Sequence, residues 1–265
     1  MTPEDKESVS LSMKMRCAKD LMPMGAKAVL DSTFGQALQD KAQQGYDVTL
    51  KWKVDSVKND SKKVIQQASE LKKIVMGAPF ERCFEALAKG GSGSLKPMVI
   101  KYRPKETIYL SPLDDRVLVF FSVDFLNETD RAIATVFLQE FQSAQQRNQN
   151  APPVVFSKDA PGQLKSLPGF KEDVSCVGYV MFTIFKMHVD KPEKVKNAAT
   201  LLAGFRSYIS YHVKGAKTYL QSRMRMRSEL MLKVLNRANP EATEAEKQVG
   251  RRNTTTTTTK TFRRF

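Results

Sequence analysis

Alternation of apolar and polar residues marks two strands near the start of the chain. In SVSLSMKMR, residues 8–16, every second residue from Val9 to Met15 is apolar. The same period of two recurs in GYDVTLKWKVD, residues 45–55. Because successive side chains of a strand point to opposite faces, both segments are predicted to be half-buried strands.

Apolar residues at helical spacing lie between these strands and after them. Pro23 and Gly25 open a short predicted helix that ends at Gly35. Beyond the second strand, the pattern predicts one helix from about residue 61 and a second helix over residues 78–88. Residues 1–89 are therefore expected to form a first α+β domain.

The run AKGGSGSLKP is the clearest break in the pattern along the chain. A glycine-rich loop can bind phosphate, but no GK[ST] sequence follows this one and no helix begins there. We therefore interpret residues 90–96 as a flexible linker between two domains.

The chain beyond the linker is rich in short apolar runs that are typical of strands. The connections between the first four runs are short, which predicts antiparallel hairpins or a meander. With residues 158–173 as a surface loop, residues 97–191 are expected to form a second α+β domain. The predicted strands are residues 98–103, 106–111, 116–125, 131–142, 152–157 and 178–189.

The last apolar pattern predicts one long C-terminal helix over residues 192–239, with Pro192 in its first turn. At ~1.5 Å per residue this helix would be roughly 70 Å long, longer than either predicted sheet. Residues 240–265 contain a run of threonines and are predicted to be a disordered tail. The predicted fold class is thus α+β: two tandem antiparallel-sheet domains with packed helices, followed by one long C-terminal helix.

Two apolar stripes run along this helix when its residues are placed at ~100° steps. The first stripe is expected to pack on the protein's own sheet, and the second lies directly beside it. One interpretation is that both domains hold the helix. The other is that a second chain covers the extra stripe and the C-terminal half, where the helix outruns its sheet, and the length of the helix favours this second interpretation. The first stripe comprises Val195, Ala199, Leu202, Phe205, Ile209, Val213, Ala216, Leu220, Met224, Met231, Leu235 and Ala238. The second stripe comprises Tyr208, Tyr219, Met226 and Leu230.

Charge narrows the class of partner. The chain has 43 Lys and Arg against 28 Asp and Glu, a formal net charge of +15 at pH 7. Such an excess indicates a polyanionic partner, which is nucleic acid, an acidic membrane face or an acidic protein surface. Between Phe205 and Asn239 the only acidic residue is Glu229, whereas a solvated helix face normally mixes signs. Lys214, Arg225 and Lys233 point away from the first stripe, and Arg223 and Arg237 flank it. Arg206 and Arg227 project into the stripe, where we expect them to pair locally or to snorkel.

No pattern of residues predicts catalysis, a cofactor or a metal site. The cysteines lack CxxC spacing, which predicts reduced thiols, and two histidines offer few partners for a nucleophile. The longest apolar runs are far shorter than the ~20 residues of a membrane-spanning helix. We therefore expect a soluble, intracellular binding or scaffold protein that is not an enzyme. The residues interpreted as structural are Cys17, Cys83, Cys176, His188, His212, Asp114 and Asp115.

Several blocks of the sequence, taken in order, resemble a known family. They are KYRPKETIYLSPLDDRVLVFFSVDF, VFLQEF, APPVVFS, GYVMFTIF, FRSYISYHVKGAKTYLQSRMR, LKVLNRANPEA and the terminal KTF. The blocks resemble subunit 2 of the actin-related protein 2/3 complex in order and spacing. The likeness extends from about residue 8 to the end of the chain and is strongest over residues 97–240.

The resemblance implies a non-enzymatic scaffold subunit whose long helix packs against subunit 4. Together the two subunits would clamp the side of a mother actin filament, from which a branch is nucleated. The implied partners also include the other subunits of the complex, among them both actin-related proteins. The implied location is the cytoplasm and its actin cytoskeleton, including cortical patches and leading-edge projections. Neither nucleic acid nor membrane insertion is expected.

The resemblance also suggests which residues meet each partner. The blocks SRMRMR and LKVLNR place basic residues on the filament side, and helix geometry favours all of them except Arg227. The filament-side candidates are Arg223, Arg225, Lys233, Arg237, Lys214 on the outward face and Arg147 in the loop after VFLQEF. The candidates for the partner-subunit interface are Tyr208, Tyr219, Met226 and Leu230.

Some features of the sequence depart from the family pattern. The family has a further segment before residues 8–16, so this chain is either a fragment or has a reduced first domain. The loop after VFLQEF is less basic than in the family, and the polythreonine run has no counterpart.

Two other classes of function remain as alternatives. A basic nucleic-acid-binding module would use the helix on phosphates, with affinity that falls steeply with salt. A peripheral membrane protein would lay the same helix on anionic lipid.

Overall fold

A computed structural model of the protein describes residues 7–148, 150–171 and 176–238. Contacts divide the chain into two compact units, the first ending at Lys214 and the second beginning at Gly215. The domain boundaries expected from the sequence stay a prediction, and the predicted tail over residues 240–265 lies outside the described residues.

The first unit begins with a small antiparallel sheet and the helices around it. β1 (Ser8–Met13) pairs with β2 (Val48–Lys53), with Leu11 opposite Leu50, which confirms both predicted strands. The helical segments between them are α1 (Ala18–Leu21), a π-helical turn (Met22–Ala26), α2 (Lys27–Phe34) and a 3-10 turn (Gly35–Ala37). The helices after β2 are α3 (Val54–Asn59) and α4 (Ser61–Lys89).

Helix α4 is continuous where the sequence predicted two helices. It contains Pro79, and buried residues continue at helical spacing on both sides of this proline, from Leu71 to Leu87. The helix ends at Gly90, whose φ of 79° is one that glycine adopts without strain. The predicted break before residue 78 was therefore wrong, because packing of the helix outweighs the hydrogen bond that proline cannot make.

A five-stranded antiparallel sheet follows, in the order β3-β4-β5-β7-β6. Its first three strands form the predicted meander, and the turn between β4 and β5 contains Asp114 and Asp115. The model thus confirms the α+β class with two antiparallel sheets. The strands are β3 (Met98–Arg103), β4 (Glu106–Pro112), β5 (Arg116–Val123), β6 (Val154–Ser157) and β7 (Gly178–Phe185).

The predicted strand over residues 131–142 is wrong, because this segment lies in helix α5 (Glu128–Gln146). Asn127 precedes the helix and caps it. Its side-chain oxygen accepts hydrogen bonds from the backbone N–H groups of Thr129 at 3.0 Å and Asp130 at 3.3 Å. These bonds satisfy amide groups that have no partner within the helix.

The two faces of the large sheet are covered by different segments. On one face lie α5 and the first part of α7 (Pro192–Ala238), where the Phe205 ring lies 4.8 Å from the Phe182 ring. On the other face lies the segment around α6 (Gly162–Lys165), which buries Leu164 against Phe120 and its neighbours. This second segment, predicted to be a surface loop, therefore forms part of the core.

A buried ion pair joins α7 to the first residue of strand β4. Arg206 and Glu106 are only 7% and 4% exposed, and Arg206 Nε donates to Glu106 Oε1 at 2.5 Å. Arg206 Nη2 donates to the carbonyl of Asp124 at 2.8 Å, and its guanidinium lies 4.1 Å from the ring centre of Phe125. The expected local partner is present as well, since Arg206 also donates to Ser210. The cation is thus neutralised inside the core.

The histidines and the buried cysteines have structural surroundings. His188 Nδ1 accepts a hydrogen bond from the backbone N–H of Phe185 at 3.0 Å, and burial together with nearby Lys194 lowers the pKa of His188. The ring of His212 is stacked with that of Phe137, at 5.4 Å between centres. Burial raises the pKa of the Cys83 thiol to about 12.

Candidate protein interface

The first apolar stripe of α7 is buried in the first unit and exposed in the second. From Val195 to Val213 its residues are buried in the core, as predicted. Leu220 and Met224, which continue the same stripe in the second unit, are 45% and 65% exposed. The stripe thus packs on the protein's own sheet in the first unit only. That another chain covers the C-terminal half, where the helix was expected to outrun its sheet, stays a prediction.

The described part of the second unit has an uncovered apolar surface. Among the described side chains of residues 215–237, none is buried. Large apolar groups in water are normal as single residues, but a continuous group of them marks a site of interaction. The large apolar side chains that are 45–65% exposed are Tyr219, Leu220, Met224, Met226, Leu230, Met231, Leu232, Val234 and Leu235.

Three of the four residues predicted to meet a partner subunit come together in this unit. Tyr219, Met226 and Leu230 line a shallow hollow of about 330 Å³, together with Arg223 and Arg227. Their spacing along the helix places them on neighbouring turns, so a side chain from another protein can contact all of them. We define this group of five residues as the α7 hollow.

Arg223 belongs to the α7 hollow although it was predicted for the filament side. Its Nη1 donates to the Tyr219 hydroxyl at 2.8 Å, and its guanidinium lies 5.6 Å from the centre of the Tyr219 ring. The pair is held in an i, i+4 relation, a spacing that the sequence shows and that could have revealed it. The hollow therefore combines apolar contact with a fixed positive charge.

The other predicted residues are distributed over both units. Arg225, Lys233 and Arg237 are exposed in the second unit, where Glu229 is the only acidic residue of the described segment. In the first unit, the half-exposed Tyr208 ring packs on His212, at 4.3 Å between centres. The filament-side candidates that lie in the first unit, both exposed, are Lys214 and Arg147.

The described residues contain no group of three or more His, Cys, Asp and Glu side chains arranged to hold a metal ion. Within the same ranges, no helix is both long and apolar enough to cross a bilayer.

The fold and the exposed helix define an α+β protein with an amphipathic surface suited to another protein chain. Comparison with known families then gives the lineage. The model of the family described as "Arp2/3 complex, 34 kD subunit p34-Arc" matches residues 11–242. The chain belongs to this family.

Two relatives carry the same protein name. "Actin-related protein 2/3 complex subunit 2" of Dictyostelium discoideum is 36% identical over 252 residues, which cover 93% of this chain and 83% of the relative. The protein of that name from Schizosaccharomyces pombe is 32% identical over 262 residues, covering 91% of this chain and 82% of the relative.

Proposed function

We propose that this protein is a non-enzymatic scaffold subunit of the actin-related protein 2/3 complex and acts in actin nucleation. Its family and the names of its relatives support the assignment. Its partners are then the other subunits, including both actin-related proteins, and actin. Its location is the cytoplasmic actin cytoskeleton, with cortical patches and leading-edge projections as the finer expectation.

The observation that carries the finer proposal is the uncovered apolar surface of residues 215–237. We assign this surface to subunit 4, which would seat apolar side chains in the α7 hollow. Tyr208 is assigned to the same interface from the first unit. Packing of this kind removes Tyr219, Met226 and Leu230 from water, and full burial of such side chains stabilises by about 1.5–3 kcal/mol each. Acidic groups of subunit 4 would face Arg223 and Arg227.

We assign the filament contact to the basic residues outside the α7 hollow, together with Arg223 of the hollow. Arg225 and Lys233 are its centre, since both are exposed and point away from the first stripe. Lys214, Arg237 and Arg147 contribute at longer range, because exposed charges act on an acidic partner mainly by steering and orienting it. Arg223 is shared between the two assignments, since it is already bonded to Tyr219.

Assembly tests the subunit 4 contact. The double variant Tyr219→Asp/Leu230→Asp brings two carboxylates into the apolar surface, where loss of hydration costs several kcal/mol. Subunit 4 is expected to be lost when the tagged variant is purified from cells. The control, Thr218→Asp/Gln221→Asp, adds the same charge to the polar side of the helix and should retain subunit 4. Equal recovery of subunit 4 with both variants would refute the assignment.

Branching tests the filament contact in the assembled complex. The variant Arg225→Glu/Lys233→Glu should assemble normally but sediment less with actin filaments and form fewer branches under the microscope. The control Lys62→Glu/Lys73→Glu makes the same change of charge on exposed positions of α4. Unchanged branching by the first variant, or an equal loss with the control, would remove Arg225 and Lys233 from the filament contact.

A further inference from the structure

A polar cavity lies on the face of the large sheet opposite to α5 and α7. Its volume is about 670 Å³, which is within the range of ligand-binding cavities. It lies beside the smaller apolar cluster, and Tyr109 and Tyr179 are shared between the cluster and the cavity wall. All residues that line it belong to the first unit.

The floor of the cavity is a row of polar side chains that crosses four strands. Lys101 lies opposite Thr107 in the β3–β4 pair, and Ser122 lies opposite Tyr179 in the β5–β7 pair. Ser122 Oγ links the two pairs, since it accepts from the Thr107 N–H at 2.7 Å and donates to the Thr107 carbonyl at 3.2 Å. Hydroxyl groups in a row on a sheet otherwise packed with aromatic residues can bind oxygen atoms of a ligand.

The rim of the cavity is strongly basic. Among the residues that the structure describes, five cationic side chains line it and no Asp or Glu does. They come from four separate segments: the turn between β1 and α1, strand β3, the β3–β4 turn and the residues after α6. The fold, and not a run of charge in the sequence, therefore brings them together. The five residues are Arg16, Lys101, Arg103, Lys105 and Lys171.

Two carboxylates near the rim neutralise only part of this charge. Glu106 Oε2 lies 3.5 Å from Arg103 Nε, but Glu106 is also paired with Arg206 on the other side of the sheet. Asp20 Oδ2 accepts the backbone N–H of Lys101 at 3.0 Å. Within the described ranges the lining residues carry a net positive charge around this concave site, and a bound anion would be attracted to it.

We propose that this cavity binds a compact ligand with several phosphate groups, either a soluble polyphosphorylated molecule or the headgroup of a lipid. Guanidinium and ammonium groups bind phosphate oxygens through charge-assisted hydrogen bonds. Thr107 and Tyr109 add neutral hydroxyl groups to the wall of the cavity. Five cations from four segments suit a ligand that carries several negative groups. This inference does not depend on the proposed scaffold function.

Binding is measured by calorimetry on the purified complex that contains the full chain, with inositol hexakisphosphate as the soluble probe. One probe molecule is expected to bind per complex. The variant Arg16→Gln/Lys101→Gln/Lys171→Gln removes three of the five rim charges, and its affinity should fall about tenfold or more. The charge-retaining variant Arg16→Lys/Lys101→Arg/Lys171→Arg should bind within a few-fold of the original, which separates lost charge from misfolding.

The control for net charge is Lys62→Gln/Lys72→Gln/Lys73→Gln on α4, where all three side chains are exposed. Its affinity for the probe should stay unchanged. Vesicles of phosphatidylcholine with 5% phosphatidylinositol bisphosphate distinguish the source of the phosphates. If the protein binds these vesicles but not the soluble probe, and the rim variant no longer binds the vesicles, the ligand is a lipid headgroup.

Three outcomes would overturn the proposal. The first is failure of both the soluble probe and the vesicles to bind. The second is an equal loss of affinity in the rim variant and the α4 control, which would show general attraction to a basic protein. The third is binding of poly-glutamate at the rim in place of either phosphate probe, which would make the site one for an acidic peptide.

Discussion

The buried pair of Arg206 and Glu106 allows a quantitative test of how α7 is fixed to the sheet. The substitution Arg206→Met keeps most of the apolar stem and removes the guanidinium. Glu106 then keeps one hydrogen bond, from the backbone N–H of Asp124 at 3.1 Å. Its Oε2 accepts no hydrogen bond from the described residues, and Arg103, 3.5 Å away, remains its nearest cation.

The magnitude follows from these contacts. Removing one partner of a buried ion pair typically costs 3–5 kcal/mol, because the other charge stays buried without compensation. Since Arg103 still faces Glu106, we expect the lower end of this range, about 3 kcal/mol. The double variant Glu106→Gln/Arg206→Met leaves no buried charge at the pair. Its cost should therefore be smaller than the sum of the two single costs by at least about 1.5 kcal/mol.

Urea-induced unfolding of the full chain, followed by circular dichroism, measures these free energies. Arg206→Lys is the matched control. The lysine keeps the positive charge but cannot reach both Glu106 and the Asp124 carbonyl, so the loss in free energy of unfolding should lie between zero and that of Arg206→Met. A cost below about 1 kcal/mol for Arg206→Met would contradict the reasoning. So would strict additivity in the double variant, because the pair would then not be energetically coupled.

Three further predictions concern titration, close packing and thiol reactivity. The pKa of His188 is lower in the folded protein than in the unfolded chain. The contribution of neutral His188 to stability is therefore present above about pH 6.5 and is lost as the pH falls below that value. A His188→Gln variant should show a weaker pH dependence of the free energy of unfolding in urea between pH 7 and pH 5. A Cβ at Gly178 would lie 2.6 Å from the carbonyl oxygen of Ser157. The variant Gly178→Ala should therefore lower the free energy of unfolding by about 1–3 kcal/mol in the same assay, and a neutral effect would contradict the close packing. Iodoacetamide at pH 8 should modify the partly exposed Cys176 and spare the buried Cys83 in the native protein, as measured by mass spectrometry. Early modification of Cys83 would contradict this prediction, because it would show that helix α4 opens around this residue.

Periodicity alone predicted much of the fold, because it reflects burial directly. The two strands of the small sheet and the meander of the large sheet were predicted from alternation and short connections. The buried part of the first stripe, from Val195 to Val213, was predicted from the helical period. Periodicity could not show where the supporting sheet ends. Leu220 and Leu235 share the same stripe as the core residues yet remain exposed.

The segment of α5 shows how residue type can mislead. The short apolar run over residues 131–142 predicted a strand, and it contains the β-branched residues Ile133, Thr135 and Val136, which favour strands in general. The stronger signal was Asn127 at the cap position, followed by acidic residues in the first turn. Val136 is 59% exposed, whereas Leu138 is buried, as expected for one face of a helix.

The polar sites could not be predicted, because they depend on pairs that are distant in sequence. Arg206 was expected to pair or to snorkel, but its partner Glu106 lies 100 positions away. Lys101 and Lys171 read as ordinary surface charges until the strands place them around one cavity. Local spacing reveals a pair such as Tyr219 and Arg223, and it carries no information about contacts made through the fold.

The exposed surface of α7 is proposed to be a contact with other protein chains. Purification of the tagged full chain from its own cells at moderate salt tests this contact most directly. Quantitative mass spectrometry of the retained material gives the stoichiometry. The account predicts equal amounts of the other subunits of the complex, including subunit 4 and both actin-related proteins. Recovery of nucleic acid alone, lost as the salt concentration rises, would contradict it and would favour a basic nucleic-acid-binding module.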